Sequence, residues 1–206
     1  MSDDELKRLL RERVGFDHPK ARQKRGDLDL NPYLSRLQPG DRVLKPAAVL
    51  VPLIDRRDGL QVLFTRRADH LARHAGQVSF PGGRVNDDDA NVIDAALRET
   101  EEEVGLLRSF VDVIGGLDTY ETGTGFSIQP VVGFVREGFD LKIDASEVAE
   151  AFEVPLRFLM NRDNHEQRTG TWQGTERRYF AMTYGRHYIW GATAGILMNL
   201  HESLYG

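Results

Sequence analysis

A run of acidic residues restricts this chain most, because it lies in a segment that otherwise favours a helix. Residues 97–106 read LRETEEEVGL, and four of five consecutive positions are glutamate: Glu99, Glu101, Glu102 and Glu103. The flanking alanine, leucine and valine residues predict a helix over roughly 90–104, which Gly105 would end. Like charges three or four residues apart destabilise a helix by roughly a few tenths of a kcal/mol per pair. The sequence therefore needs something that offsets this repulsion.

Three of the glutamates share one face of the predicted helix. Glu99, Glu102 and Glu103 stand at i, i+3 and i+4, whereas Glu101 points elsewhere. Arg98 lies four residues before Glu102 and can form an ion pair with it. Converging carboxylates suit a hard cation such as Mg²⁺, which takes oxygen ligands and keeps waters for substrate phosphates. A solvated, purely structural face is the alternative interpretation of such a run.

The segment before the helix favours the cation. Residues 79–85 read SFPGGRV, and Pro81-Gly82-Gly83 predicts a strand that ends in a tight turn. Backbone without side chains can approach a ligand closely or offer a carbonyl oxygen to a metal ion. A strand, a Gly-Gly turn, a loop and an acidic helix together predict a pocket for phosphate groups and metal.

Composition and charge exclude several other classes of protein. The chain has no cysteine, which excludes disulfides, thiol catalysis and thiolate metal sites. The formal net charge of -5 argues against a general nucleic-acid-binding protein, which usually carries a basic excess. The longest apolar run, AAVLVPLI, is shorter than the roughly 20 residues of a membrane span, and MSDDELKRLLRERVGF lacks the apolar core of a signal peptide. We therefore expect a cytoplasmic protein with no nucleic-acid or membrane partner.

Hydrophobic periodicity predicts a mixed α/β fold. Strands are expected at 47–54, 60–65, 77–80, 110–118, 126–135 and 177–184, and helices at 3–12, 90–104 and 191–204. Residues 17–45 lack periodicity and predict an extended arm. The predicted organisation is an N-terminal helix and arm over residues 1–45, followed by one α/β domain over residues 46–206. Tyr188 and Trp190 are expected in its core.

The residues from Gly83 to Leu106 resemble the Nudix box, G-x5-E-x7-R-E-U-x-E-E-x-G-U, in which U is aliphatic. The matching residues are Arg98, Glu99, Glu102, Glu103, Gly105 and Leu106. Thr100 replaces an aliphatic residue, and the box is one residue too long from Gly83, which places its early glutamate position on Ala90. The resemblance implies a Nudix-type α/β/α sandwich with a mixed β-sheet, and an enzyme that hydrolyses a nucleoside diphosphate linked to another group.

The segment upstream of the box, LFTRRADHLARHAGQVSFPGG, resembles the signature of the coenzyme A diphosphatases within the Nudix superfamily. The matching residues are Leu63, Thr65, Gly76 and the Phe80-Pro81-Gly82-Gly83 run. YIWGATAGILMNL and residues 147–156 also look like that subfamily. The signature's arginine is Ala72 here, with Arg73 one place later. Either Arg73 takes over its task or coenzyme A recognition is altered.

The resemblance implies Mg²⁺ or Mn²⁺ as cofactor and a role for each matching residue. Glu99 and Glu103 would be the principal metal ligands, Glu102 a third ligand or the base that activates water, and Gly83 a carbonyl ligand. Arg98 would hold the glutamates in place. Glu147 could supply a further acid from a distant loop, or could be an ordinary helix-start carboxylate.

Basic residues of the upstream signature are candidates for binding the substrate, because arginine binds phosphate oxygens in a bidentate manner. These are Arg66, Arg67 and Arg73, which lie close in sequence to the backbone of Gly82. Surface residues in contact with solvent are the alternative reading of each. Coenzyme A carries a 3′-phosphate that ADP-ribose lacks, and one of the three arginines is expected to bind it.

The leading functional hypothesis is metal-dependent hydrolysis of the diphosphate bridge of coenzyme A or its derivatives to 3′,5′-ADP and 4′-phosphopantetheine. A Nudix hydrolase of ADP-ribose, NADH or another nucleoside diphosphate derivative is the first alternative. A non-catalytic nucleotide-binding sensor is more remote, since a pure binder does not need Glu99, Glu102 and Glu103 together. A homodimer is compatible with the sequence, which does not decide the oligomeric state.

Overall fold

Most predicted elements form close to their expected positions in the computed structural model, which describes residues 2–16, 25–33, 43–172 and 174–206. The helices are α1 (Asp3–Arg13), α2 (Asp27–Leu30), α3 (Val92–Val104), α4 (Leu156–Leu159) and α5 (Ala192–Tyr205). The strands are β1 (Arg25–Gly26), β2 (Lys45–Arg56), β3 (Gly59–Arg67), β4 (Val78–Ser79), β5 (Gly82–Arg84), β6 (Val111–Gly116), β7 (Tyr120–Glu121), β8 (Phe126–Val135), β9 (Val148–Pro155), β10 (Glu166–Trp172), β11 (Thr175–Tyr184) and β12 (His187–Trp190).

The ends of α3 are fixed by local sequence. The side chain of Asn91 accepts hydrogen bonds from the N–H groups of Ile93 and Asp94, at 2.9 and 3.1 Å. Gly105 ends the helix in the left-handed conformation, at a φ of 69°. These two caps define where the acidic helix begins and ends, and all four glutamates lie within it.

The Gly-Gly segment lies inside the main sheet and not at the end of an isolated strand. β2 and β3 form a hairpin that pairs only near its turn, from Leu53 opposite Val62 to Arg56 opposite Gly59. Beyond that point the two strands separate, and residues 78–84 fill the gap. β4 pairs with β3, while β5 pairs with β2, and Leu50 N donates to Pro81 O at 2.9 Å.

The rest of the main sheet is mixed, which confirms the predicted fold class. β2 runs parallel to β8, whose other edge pairs antiparallel with β6 and β7. β9 pairs antiparallel with β3. β10, β11 and β12 form a separate antiparallel sheet.

Each face of the main sheet has its own hydrophobic core. α3 covers one face, where Ala95 and Ala96 pack with Ala48, Leu50 and Leu63. On the other face, buried residues of α1, α5 and the small sheet pack together, among them Leu10, Leu197, Leu200, Met182 and Ile189. In the described ranges, no helix is long and apolar enough to cross a membrane.

Several elements differ from the sequence prediction. β9, β10 and β12 were not expected, and Glu147 lies in the turn before β9 and not at a helix start. The predicted core position of Tyr188 is wrong: its side chain is 40% exposed, and Trp190 is only partly buried. The prediction of an extended arm falls partly on residues 17–24 and 34–42, which lie outside the described residues. The boundary at residue 45 stays a prediction.

Candidate active site

The Glu99 carboxylate lies directly against the backbone of Gly83. A Cβ at position 83 would collide with both oxygens of that carboxylate, so a side chain here would displace Glu99. Gly82 has a φ of 148°, and a Cβ there would collide with the backbone of Ala48 and Val49. Close contacts therefore require glycine at both positions. Gly82 lies against the backbone of β2, and Gly83 lies against the Glu99 carboxylate of α3.

Glu103 is a buried carboxylate with incomplete compensation of its charge. Its side chain accepts a hydrogen bond from Gly82 N at 3.1 Å, and Arg67 Nη1 lies 3.8 Å from Oε1. Burial, with smaller contributions from the nearby Glu147 and Glu99, raises the pKa of Glu103 to about 7, although the hydrogen bond from Gly82 and the charge of Arg67 lower it. A cation beside Glu103 would stabilise its charged form.

Arg98 connects the acidic helix to the loop that precedes it. Its Nη1 donates to Glu99 Oε1 at 2.8 Å and to Glu102 Oε2 at 3.0 Å, and its Nη2 donates to Arg84 O at 3.1 Å. The other edge of the guanidinium forms a bidentate pair with Asp89, at 2.7 and 2.9 Å. Hydrogen bonds from Arg98 lower the pKa of Asp89 to about 2. Arg98 thus holds two glutamates and the Gly83–Arg84 backbone together.

Asp89 was missed by the sequence analysis, which placed the early acidic position of the box on Ala90. The expectation came from counting back from Arg98. Counting forward from Gly83 gives Asp89, whose carboxylate is the one that meets Arg98. The additional residue of this chain therefore lies between Asp89 and Arg98. Ala90 instead donates its N–H to Asp94 Oδ2, at 3.1 Å.

The other acidic residues take distinct positions. The side chain of Glu102 is 58% exposed and binds Arg98. Glu101 points away and accepts from Arg108 N and Nε, at 2.7 and 3.0 Å. Glu147, although exposed, lies close enough that its charge raises the pKa of both Glu99 and Glu103. The turn before β9 therefore brings a fourth carboxylate toward the helix face.

The predicted basic residues separate into two groups. Arg67 faces Glu103, and its buried Nε has no hydrogen-bond partner within the described residues. Arg66 instead pairs with Asp69 Oδ1 at 2.6 Å and lies 3.8 Å from Glu150 Oε2. Arg73 is exposed and forms no ion pair with any described residue. Of the four predicted substrate-binding residues, all of which the structure describes, only Arg67 and Gly82 thus contact the acidic cluster.

These contacts fit a hard cation. Within the described residues, the charge of the buried Glu103 is opposed only by Arg67 at 3.8 Å. The Glu99 carboxylate lies against Gly83, so two carboxylates of α3 offer oxygen ligands beside the Gly-Gly backbone. No three His, Asp or Glu side chains already form a metal-binding group in the parts of the chain that the structure describes. The reason is visible in the contacts: Arg98 occupies oxygens of Glu99 and Glu102, which would have to turn toward the ion.

A NUDIX domain model matches residues 44–172 of this chain. The chain belongs to the Nudix family. It is 39% identical over 184 residues to proteins named "Uncharacterized Nudix hydrolase NudL" in Escherichia coli O157:H7 and in Shigella boydii serotype 18, and the match covers 84% of this chain and 93% of each relative. This Nudix hydrolase therefore acts on a nucleoside diphosphate derivative, and enzymes of the family use divalent metal cations.

Solved Nudix structures resemble part of the chain. An Ap4A hydrolase of C. elegans, in a binary complex, covers 55% of this chain at 19% identity with a TM-score of 0.47, and the match covers 82% of that protein. The MutT protein of Methanosarcina mazei Go1 covers 57% of this chain at 25% identity with a TM-score of 0.45, again over 82% of its own length.

Proposed function

We propose that the protein hydrolyses the diphosphate bridge of coenzyme A or one of its derivatives, with Mg²⁺ or Mn²⁺, to give 3′,5′-ADP and 4′-phosphopantetheine. The observation that supports hydrolysis most directly is the contact of Glu99 with Gly83 and of Glu103 with Gly82. The choice of coenzyme A is supported by the resemblance of residues 63–83 to the coenzyme A diphosphatase signature.

In this proposal, Glu99, Glu103 and the carbonyl oxygen of Gly83 hold the cation. When bound, the cation supplies positive charge that neutralises phosphate oxygens of the diphosphate. Arg67 binds an oxygen of the same diphosphate, because its guanidinium lies beside Glu103 with an unpartnered Nε. Arg98 is a positioning residue, since its Nη1 donates hydrogen bonds to both Glu99 and Glu102 and orients their carboxylates.

A proton must leave the attacking water, and two carboxylates are candidates for its acceptor. Glu102 is exposed and, among the described residues, binds only Arg98, so it can turn toward a water without losing buried contacts. Glu147 lies near Glu99 and Glu103 on a turn that is anchored by the hydrogen bond from Ala68 N to Glu147 O, at 2.8 Å. The pH dependence of kcat is compared in Glu102→Gln and Glu147→Gln. The base is the residue whose replacement removes the fall of kcat at low pH.

The upstream signature supports the site mainly from within the sheet. Leu63, Thr65 and Phe80 are buried, and the rings of Phe80 and Phe64 stack at 4.9 Å. These residues hold the Gly-Gly segment between β2 and β3. Within the signature, the exposed loop that contains Ala72 and Arg73 is a further candidate for direct contact with the substrate.

Hydrolysis of ADP-ribose, NADH or another nucleoside diphosphate derivative is the alternative. It is favoured by Ala72, since the signature's arginine is absent, and by the pairing of Arg66 with Asp69 and Glu150, which leaves Arg66 less free for a phosphate. A cytoplasmic location, the lack of nucleic-acid or membrane partners, and a homodimer stay predictions.

A substrate panel separates these functions. Coenzyme A, an acyl derivative, ADP-ribose and NADH are each incubated with the protein and Mg²⁺ or Mn²⁺, and products are identified by mass spectrometry. We expect 3′,5′-ADP and 4′-phosphopantetheine from coenzyme A, with the highest kcat/KM in the panel. Glu103→Gln serves as the inactive control. A higher kcat/KM for ADP-ribose or NADH would support the alternative, and binding without products in any reaction would support a sensor.

A further inference from the structure

Two cations near the Gly-Gly turn have no carboxylate partner within the described residues. Arg84 follows Gly83 directly, and Lys45 begins β2. No ion pair joins either of them to another residue of the described ranges. Many other arginines of these ranges do have carboxylate partners, among them Arg25, Arg56, Arg66, Arg98 and Arg108. Two unpaired cations close together are notable in a chain with 32 acidic and 27 basic residues.

Strand register places both cations on the same face of the sheet. Gly83 pairs with Ala48, which packs under α3, whereas Arg84 pairs with Ala47. Successive residues of a strand point to opposite faces, so Arg84 faces away from α3. Lys45 is two residues from Ala47 and shares its face.

An aromatic ring lies against the Arg84 guanidinium. The ring belongs to Phe126, which pairs with Lys45 across β2 and β8, and the guanidinium lies 5.7 Å from its centroid. Arg84 therefore reaches across β2 toward Lys45, supported by a cation–π contact. Its carbonyl oxygen accepts from Arg98, so its backbone is tied to the residue that also holds Glu99 and Glu102.

We propose that Lys45 and Arg84, with the Phe126 ring beneath the guanidinium, form a second anion subsite for a phosphate monoester that the substrate carries outside its diphosphate bridge. Gly83 and Arg84 are about 3.3 Å apart along the strand, and β5 pairs with β2 alone among the described strands. A substrate at Gly83 can therefore pass the free edge of β5 to reach Arg84 on the opposite face. The inference rests on the proposed function, since such a phosphate distinguishes coenzyme A from ADP-ribose. It transfers to Arg84 and Lys45 the task that the sequence assigned to Arg66, Arg67 or Arg73.

Binding without turnover tests the subsite. Adenosine 3′,5′-bisphosphate and adenosine 5′-monophosphate are titrated by calorimetry into metal-free protein in EDTA, so that hydrolysis plays no part. Charge-assisted contacts predict that wild type binds the bisphosphate about tenfold or more tightly than the monophosphate. Arg84→Gln and Lys45→Gln should each reduce this ratio about fivefold or more and leave monophosphate binding nearly unchanged. Thermal melting checks that each variant is folded.

Arg73→Gln is measured as well, because the sequence made Arg73 a candidate for the same phosphate. Arg57→Gln is the matched control, because Arg57 is exposed, lies in the turn between β2 and β3, and forms no ion pair with a described residue. It should keep the wild-type ratio. Equal affinity of wild type for the two probes, no measurable bisphosphate binding, or an unchanged ratio in both Arg84→Gln and Lys45→Gln would each overturn the inference. A bisphosphate-to-monophosphate affinity ratio that changes only in Arg73→Gln would assign the phosphate site to the exposed loop that contains Arg73.

The kinetic arm separates this inference from the proposed function. The ratio of kcat/KM for coenzyme A and its 3′-dephospho form is measured in wild type and in Arg84→Gln. Hydrolysis of coenzyme A with an unchanged ratio in the variant means that the subsite is wrong and the function stands. Discrimination between the two probes in calorimetry, without hydrolysis of coenzyme A, means that the subsite stands and the proposed function is wrong.

Discussion

Replacing Glu103 by glutamine should stabilise the metal-free protein while abolishing most of its activity. Glutamine keeps the shape of the side chain and can still accept the hydrogen bond from Gly82 N. It removes a charge that is 3% exposed and whose nearest cationic group, Arg67 Nη1, lies 3.8 Å away. The change therefore isolates the free energy of one buried charge.

The magnitude follows from the pKa of Glu103, which burial raises from its ordinary value of 4.5 to about 7. At about 1.36 kcal/mol per pKa unit, charging this group in the folded protein costs about 3 kcal/mol more than in the unfolded chain. Because the folded pKa is the higher one, the folded state keeps a proton that the unfolded state has lost. The cost is absent below pH 4.5, grows as pH rises, and is complete above about pH 7.

Urea unfolding in EDTA at pH 5 and pH 8 measures this cost. Relative to wild type, Glu103→Gln should raise the free energy of unfolding by up to about 3 kcal/mol at pH 8 and by much less at pH 5. Glu137→Gln, at an exposed position, should change neither value. Mg²⁺ should raise the Tm of wild type through binding to the folded state, but raise that of Glu103→Gln far less.

Activity completes the test. With saturating Mg²⁺, kcat of Glu103→Gln should fall by about a hundredfold or more, as expected for losing a group that stabilises charge in the reaction. A variant that is destabilised equally at both pH values would show that the Glu103 charge is well compensated without metal. Near-normal kcat would remove Glu103 from the metal site.

Asp89→Asn should lower kcat about tenfold or more, because the bidentate pair that orients Arg98 is lost. Steady-state kinetics measure this change. A kcat equal to that of wild type would show that Arg98 needs no such partner. Arg67→Gln should raise KM for every diphosphate tested, whereas Arg66→Gln should leave KM nearly unchanged, since Arg66 pairs with Asp69; equal effects would contradict the two different placements. Burial lowers the pKa of His201 below its ordinary value of 6.5, so the unfolded chain gains a proton first as pH falls, and the folded state loses stability below about pH 6.5. His201→Phe should reduce that loss in thermal melts between pH 7 and pH 5, and an identical loss in the variant would assign the acid sensitivity to another group.

The helix that carries the acidic cluster could be predicted because its determinants are local. The caps at Asn91 and Gly105 and the phase of Glu99 and Glu103 all follow from residues within a few turns. The exposure of Glu102 could not be read in this way, since it depends on how α3 lies on the sheet. The same limit explains why Arg66 and Arg67, adjacent in sequence, have different partners.

Pairing between distant strands was the other limit. β9 and β10 lack the simple alternation of a half-buried strand, because β9 pairs with β3 within a sheet that is covered on both faces and β10 is largely exposed. Asp89 was missed for a different reason, since the added residue of the box could lie on either side of it. Only the contact with Arg98 decides that position.

The insertion of residues 78–84 between β2 and β3 has a consequence for dynamics. Because β4 is hydrogen-bonded to β3 and residues 81–84 are hydrogen-bonded to β2, the segment cannot move as a hinged flap without breaking bonds to two strands. Its amides, with that of Leu50, should be among the slowest in the protein to exchange with deuterium. The Gly-Gly turn is then held rigidly by the sheet. We expect motions that admit substrate or release product in the largely exposed segments on either side, residues 69–77 and 86–91.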